Sequence, residues 1–208
     1  MENSLHRTGT ILLVAALMTS ISSGAGAQLA DTRGFNLSAA LNGSAIKLDD
    51  EDFGDSDTEN GAGLALQAGY NFTRNFGVFL GVTGASIQAE GGGSYALGHG
   101  DLGVRISLPS GRLVPYLEAA FTGLNAQGDL DGDDIEFQGT GGTGTLGLNF
   151  FLGQKVALDV AFRYTKGEFT TFKINGEGLT SDDGIGVGTG RFNLGITWYP
   201  SAGNGTRK

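Results

Sequence analysis

Eight stretches of this chain alternate apolar with small or polar residues at a period of two, the mark of strands with one apolar face. They run Gly34–Gly43, Gly61–Phe72, Phe76–Gln88, Tyr95–Ser107, Leu113–Leu124, Gly142–Leu152, Val156–Thr165 and Gly190–Tyr199. The seventh sets Val156, Leu158, Val160, Phe162 and Tyr164 against Ala157, Asp159, Ala161 and Arg163. The eighth sets Phe192, Leu194, Ile196 and Trp198 against Arg191, Asn193, Gly195 and Thr197. The third is interrupted by Phe79, which stands among the small residues Gly77 and Gly81 and either fills an interior or marks a bulge. No apolar run reaches the ~18 residues of a helical membrane span, so an all-β protein is predicted.

The connections alternate as well. Thr73–Asn75, Leu108–Arg112 and Gly153–Lys155 are short and follow even strands; 44–60, 89–94, 125–141 and 166–189 are longer or Gly-rich and follow odd ones. The segments hold 10 to 13 residues, and a tilted strand crosses a bilayer in about 9–11. Short turns at one end and long loops at the other are the layout of outer-membrane barrels. Closing the sheet removes edges whose unpaired backbone groups would be costly in lipid. The fold expected is therefore an eight-stranded antiparallel up-and-down transmembrane β-barrel.

Period two does not by itself say whether the apolar face meets lipid or a core, and a soluble lipocalin-like barrel would show the same alternation inverted. Three features favour lipid. The polar face is built mainly from Gly, Ala, Ser, Thr and Asn, whereas a wall facing water would be rich in Lys and Glu. Its charges come in both signs: Asp101 with Arg105, Glu118 one strand over, Asp159 with Arg163, and Arg191 on the closing strand. Residues four apart on a strand share a face, so these six are expected to meet inside as an ion network. Aromatics also gather at the strand ends, as in the two girdles of a membrane barrel. Tyr70, Phe72, Phe76, Phe150, Trp198 and Tyr199 are assigned to the short-turn side, and Tyr95, Phe121 and Tyr164 to the long-loop side.

The N-terminus reads as an export signal over residues 1–27, with the barrel occupying 28–208. Arg7 supplies the positive region, Ile11–Met18 the apolar stretch, and Ala25-Gly26-Ala27 a small-residue cleavage site. Cleavage after Ala27 removes one charge of each sign, Glu2 and Arg7, and leaves the formal net charge at −9. So acidic a chain does not suit nucleic acid, which demands a basic footprint. With no cysteine, neither a disulfide nor a thiolate metal site is available.

The export signal, the eight strands, the Val114-Pro115-Tyr116 start of strand five and the Asn193-Leu194-Gly195-Ile196-Thr197-Trp198 ending resemble the OmpA/OmpX-type outer-membrane β-barrel domain family. The resemblance covers essentially the whole exported chain, although Pro200–Lys208 continue past the point where such chains usually stop. It implies a place in the bacterial outer membrane, contact with its lipid and lipopolysaccharide, and passage through the barrel-assembly machinery. A monomer is expected.

Catalysis is not expected. The exported chain holds one histidine, His99, whose parity puts it on the inner face with Asp101, and no G-x-S-x-G or His-x-Ser arrangement is present. No cofactor is implied: the glycine tracts lack phosphate-loop spacing. The long connections are acidic. Residues 44–60 carry Asp49, Asp50, Glu51, Asp52, Asp55, Asp57 and Glu59 against Lys47. Asp129, Asp131, Asp133 and Asp134 begin like an EF-hand, but Asp134 stands where that loop needs glycine and Thr140 where it needs glutamate. These four are candidate ligands for weak Ca²⁺ or Mg²⁺ binding. An eight-stranded barrel is just wide enough to be filled by side chains. The expected function is thus non-enzymatic and structural, or one of surface contact through acidic outer loops. A narrow channel for ions or small molecules is the alternative, and a periplasmic lipocalin-like carrier a further one.

Overall fold

The computed structural model describes residues 31–49, 58–89, 92–130 and 133–202; the export signal and its cleavage site lie outside them. Eight strands follow one another: β1 (Gly34–Asp49), β2 (Glu59–Asn71), β3 (Phe76–Gln88), β4 (Ser94–Ser107), β5 (Leu113–Leu130), β6 (Asp133–Phe151), β7 (Val156–Ile174) and β8 (Glu177–Trp198). Each pairs antiparallel with the next, and β8 returns to β1, so the sheet closes as a barrel. No helix among the described residues is long and apolar enough to cross a membrane.

The alternation read from the sequence is the alternation of the wall. Along β3 every even-numbered residue is exposed and every odd one buried. Leu41, Leu64, Leu80, Leu102, Phe121, Phe162, Phe192 and Ile196 all stand outward and exposed, Leu41 at 67%. Asn36, Gln67, Thr83, Asp101, Glu118, Thr122, Asn149 and Arg191 stand inward and buried. The lipocalin-like arrangement, apolar within and polar without, is thereby reversed. Phe79 fills the interior, and its pairing with Gly69 and Gly103 runs through without a bulge.

The strands outrun their sequence expectation at the long-loop end, where six of the eight exceed 13 residues and β8 reaches 22. Most of 125–141 is not loop: β5 and β6 stay paired from Leu113↔Phe150 up to Leu130↔Asp133. Most of 166–189 is ladder too, closing at Asn175 (φ 49) and Gly176 (φ 83). Left-handed backbone at both central residues is the type I′ hairpin turn that Asn-Gly favours, a signal the spacing argument passed over. Of 44–60, residues 44–49 and 59–60 are strand, and 50–57 lie outside the described residues. The β7–β8 ladder breaks register once, where Phe169 pairs with Ile185 and Thr171 already with Thr180.

Candidate functional site

The interior is stacked in three layers. At the short-turn end Val114, Phe151, Ala157, Tyr199 and Ala202 form an apolar cluster. Tyr199 was assigned to the aromatic girdle, but it follows the outward Trp198 and so points in. Its ring stacks on Phe151 with centroids 5.2 Å apart, while its amide donates to the Lys155 carbonyl at 2.7 Å. At the long-loop end Ile46, Ala85, Ile87, Leu97, Leu124, Ala126, Phe169 and Val187 form a second apolar cluster, with Tyr95 and Phe137 against it. Tyr95 therefore also leaves the girdle: it turns inward, and its hydroxyl donates to Glu59 Oε2 at 2.6 Å. Tyr70, Phe72, Phe76, Phe150 and Trp198 at one end, with Phe121 and Tyr164 toward the other, do face outward.

Between the clusters lies the polar layer. The structure brings the charges together in pairs other than those the strand spacing suggested. Asp101 is held by Arg191, with Nη1 to Oδ2 at 2.9 Å and Nη2 to Oδ1 at 3.2 Å, and by Arg163 Nη1 at 3.4 Å. Glu118 accepts from Arg105 Nε at 2.7 Å and is ion-paired with Arg105 Nη2 at 2.6 Å and Arg163 Nη2 at 3.1 Å. Arg163 thus bridges both carboxylates. Asp101 and Arg105 are not a pair, and Asp159 has no guanidinium within salt-bridge distance among the described residues. It accepts instead from the Tyr116 hydroxyl at 2.8 Å. Arg105 meets Glu118 because the two are direct cross-strand partners, whereas Arg163 and Arg191, on long stems, reach Asp101 from other strands across the narrow lumen.

Neutral groups complete the layer. Gln67 donates to Glu118 Oε1 at 3.0 Å and accepts from Arg163 Nη2 at 2.5 Å. Thr122 donates to Asp101 Oδ1 at 2.7 Å, Thr143 and Thr165 lie 2.7 Å apart at their hydroxyls, and Arg191 Nη2 donates to Thr165 at 3.0 Å. The Arg105 guanidinium sits 4.1 Å from the centre of the Tyr116 ring, a cation–π contact. That ring lies over Gly147, its direct cross-strand partner, where a Cβ would stand 2.1 Å from the Tyr116 Cζ. Glycine is required there by close approach. A void of about 10 Å³ remains among Ser38, Gln67, Asp101, Asp159, Arg163 and Asn193, the space of a single water. His99 is buried in the same interior, with Nε2 3.0 Å from the Thr189 hydroxyl.

The acidic hairpin residues stand apart from this layer. Asp129 and Asp134 are cross-strand partners at the β5–β6 tip. Asp133 Oδ1 accepts from Asn175 Nδ2 at 2.8 Å, and Asp131 lies outside the described residues. No group of three or more candidate metal-binding side chains occurs among the described residues. Farther down, Glu136 accepts from Asn125 at 2.6 Å and Gln138 at 2.7 Å, and meets Lys173 at 3.5 Å. Sequence reading missed this polar patch because it placed Glu136 in a loop, whereas it lies on a paired strand.

A closed antiparallel barrel with an apolar belt outside and buried ions within is a membrane-spanning barrel. The chain belongs to the outer membrane protein beta-barrel domain family, which it matches over residues 12–199. That places it among bacterial outer-membrane proteins. No curated protein matches the chain in sequence. In three dimensions it is similar to Neisserial surface protein A, with TM-score 0.60 and 18% identity over 80% of this chain and 97% of that one. It is similar also to Ail, the attachment invasion locus protein of Yersinia pestis (0.54, 17%, covering 80% and 98%), and to OprG of Pseudomonas aeruginosa (0.51, 15%, 81% and 97%). At these identities the likeness is one of fold.

Proposed function

We propose that the protein is a closed, non-enzymatic scaffold of the outer membrane whose extended acidic hairpins make its contacts with the surroundings. The observation that carries this reading is the double closure of the lumen. An ion layer with three arginines and three carboxylates is capped at each end by a buried apolar cluster, and the void noted among its side chains is about 10 Å³. An ion crossing it would shed its hydration against apolar side chains at both mouths, a heavy penalty. Removing one member of the layer would leave its partner's charge buried and unpaired, so the layer also holds the wall together.

The role then lies in the hairpins, since a rigid barrel leaves specificity to what projects from it. Outer-membrane lipid, lipopolysaccharide and their divalent counter-ions are the surroundings such acidic hairpins meet, and the barrel-assembly machinery handles the chain during insertion. Planar-bilayer recording tests the reading. The full chain, shown folded by its shifted migration when unboiled in SDS, is expected to stay silent. Steady unitary conductance would overturn the scaffold and establish the narrow channel instead.

A further inference from the structure

The short-turn rim carries a ring of cations that the interior does not use. Arg33 leads into β1, Arg74 lies in the β2–β3 turn, Arg112 in the β4–β5 turn and Lys155 in the β6–β7 turn, so the entry to β1 and each of the three turns contribute one. All four are exposed. Among the described residues at this rim the one carboxylate is Asp31, which Arg33 Nη2 contacts at 2.9 Å and Arg74 Nε at 3.7 Å. Arg112 and Lys155 have no acidic partner among the described residues.

The ring is built on fixed backbone. The Arg74 carbonyl accepts from the Thr32 hydroxyl at 2.9 Å, the Arg112 carbonyl from the Phe151 amide at 2.9 Å, and the Lys155 carbonyl from the Tyr199 amide at 2.7 Å. Each turn is thereby tied to a neighbouring strand end beyond the regular ladder, and its cation projects from an anchored site. Directly above stand the exposed rings of Tyr70, Phe72, Phe76, Phe150 and Trp198, which mark the level where hydrocarbon gives way to headgroups. Long basic side chains at that level keep their stems along apolar surface and their charges among the headgroups.

We infer that this rim binds anionic phospholipid, with the phosphates of the periplasmic-side leaflet spread around Arg33, Arg74, Arg112 and Lys155. The opposite end offers no such match, for its hairpins are rich in Asp and Glu. The protein is thus polarised: a cationic foot in the phospholipid leaflet and an anionic crown outside. A basic residue near an anionic membrane contributes enough for roughly a fivefold local preference.

Trp198, the one tryptophan of the chain, lies beside the ring and reports on it. The full chain is reconstituted in phosphatidylcholine vesicles containing either brominated phosphatidylglycerol or brominated phosphatidylcholine at equal mole fraction. Expected is several-fold stronger quenching of Trp198 by the brominated phosphatidylglycerol, a preference that shrinks as salt is raised. It should vanish in the Arg33→Gln/Arg74→Gln/Arg112→Gln/Lys155→Gln variant and weaken in Lys155→Gln alone, which leaves the other three cations in place. Heat-modified migration verifies that each variant is folded. Equal quenching by the two lipids would overturn the inference, and so would a preference that survives in the folded quadruple variant.

Discussion

Arg191 on β8 grips Asp101 on β4 across the lumen through both terminal nitrogens, with the arginine wholly buried. The same carboxylate also faces Arg163. Asp101→Ala therefore strands the Arg191 guanidinium in the interior without a carboxylate and leaves Arg163 with Glu118 alone. The expected loss is about 3–5 kcal/mol, the usual result of breaking a buried pair by removing one partner. Urea unfolding in detergent or vesicles measures it, and a loss no larger than that of an exposed pair would mean the ions are not mutually dependent.

The Tyr116–Asp159 contact separates ring packing from hydrogen bonding. Tyr116→Phe keeps the ring over Gly147 and against Arg105 but withdraws the donor from Asp159. A cost of about 1–3 kcal/mol is expected for the orphaned buried acceptor. Gly147→Ala should act through the other half, since its methyl group collides with the ring itself. If the two changes act on one contact, the double variant will fall short of their sum in the same unfolding assay.

At the β7–β8 tip, Gly176 occupies a backbone region that costs a side-chain-bearing residue about 1–2 kcal/mol. Gly176→Ala is expected to raise amide exchange in the distal hairpin alone. Heat-modified migration should stay unchanged, because the lumen layers lie well below the turn. Uniformly faster exchange around the whole barrel would contradict that local reading.

Asp31, outside the strands, has its carboxyl held below the usual 3.8 by the Arg33 guanidinium beside it, with burial opposing. A depressed folded pKa means a stabilising contribution that is present above about pH 4 and lost as pH falls through the lowered value. Arg33 stands in solvent, so screening keeps that contribution small. The opening of Thr32 and Arg33 to amide exchange, corrected for the intrinsic slowing of exchange in acid, should rise in the native chain as pH falls. In Arg33→Gln it should start higher and respond less.

Strand number, the inward or outward face of most residues and the identity of the interior charges were legible because period two states them directly. Which charge meets which was not. Parity assigns a face, whereas Arg163 and Arg191 choose partners across the lumen, and that depends on closure and stagger. Tyr199 was misread for a related reason: girdle assignment by position ignored that its neighbour Trp198 already claimed the outer face. The length of the hairpins was not legible because Gly-rich stretches suit loops, while Asn175-Gly176 carried the opposite message. The basic rim was passed over because its members are scattered singly over four connections and converge once the barrel closes.

The register break at Phe169 and Thr171 has a mechanical consequence. Residues 181–184 have no counterpart in the regular β7–β8 pairing, so the ladder from Thr171↔Thr180 to Ile174↔Glu177 is separated from the one that continues down to Val156↔Trp198. Tension applied at the tip would unzip the distal pairs first and halt at the discontinuity. The hairpin thus carries a fuse: a pull at the tip is spent on a few distal pairs before it reaches the sealed wall.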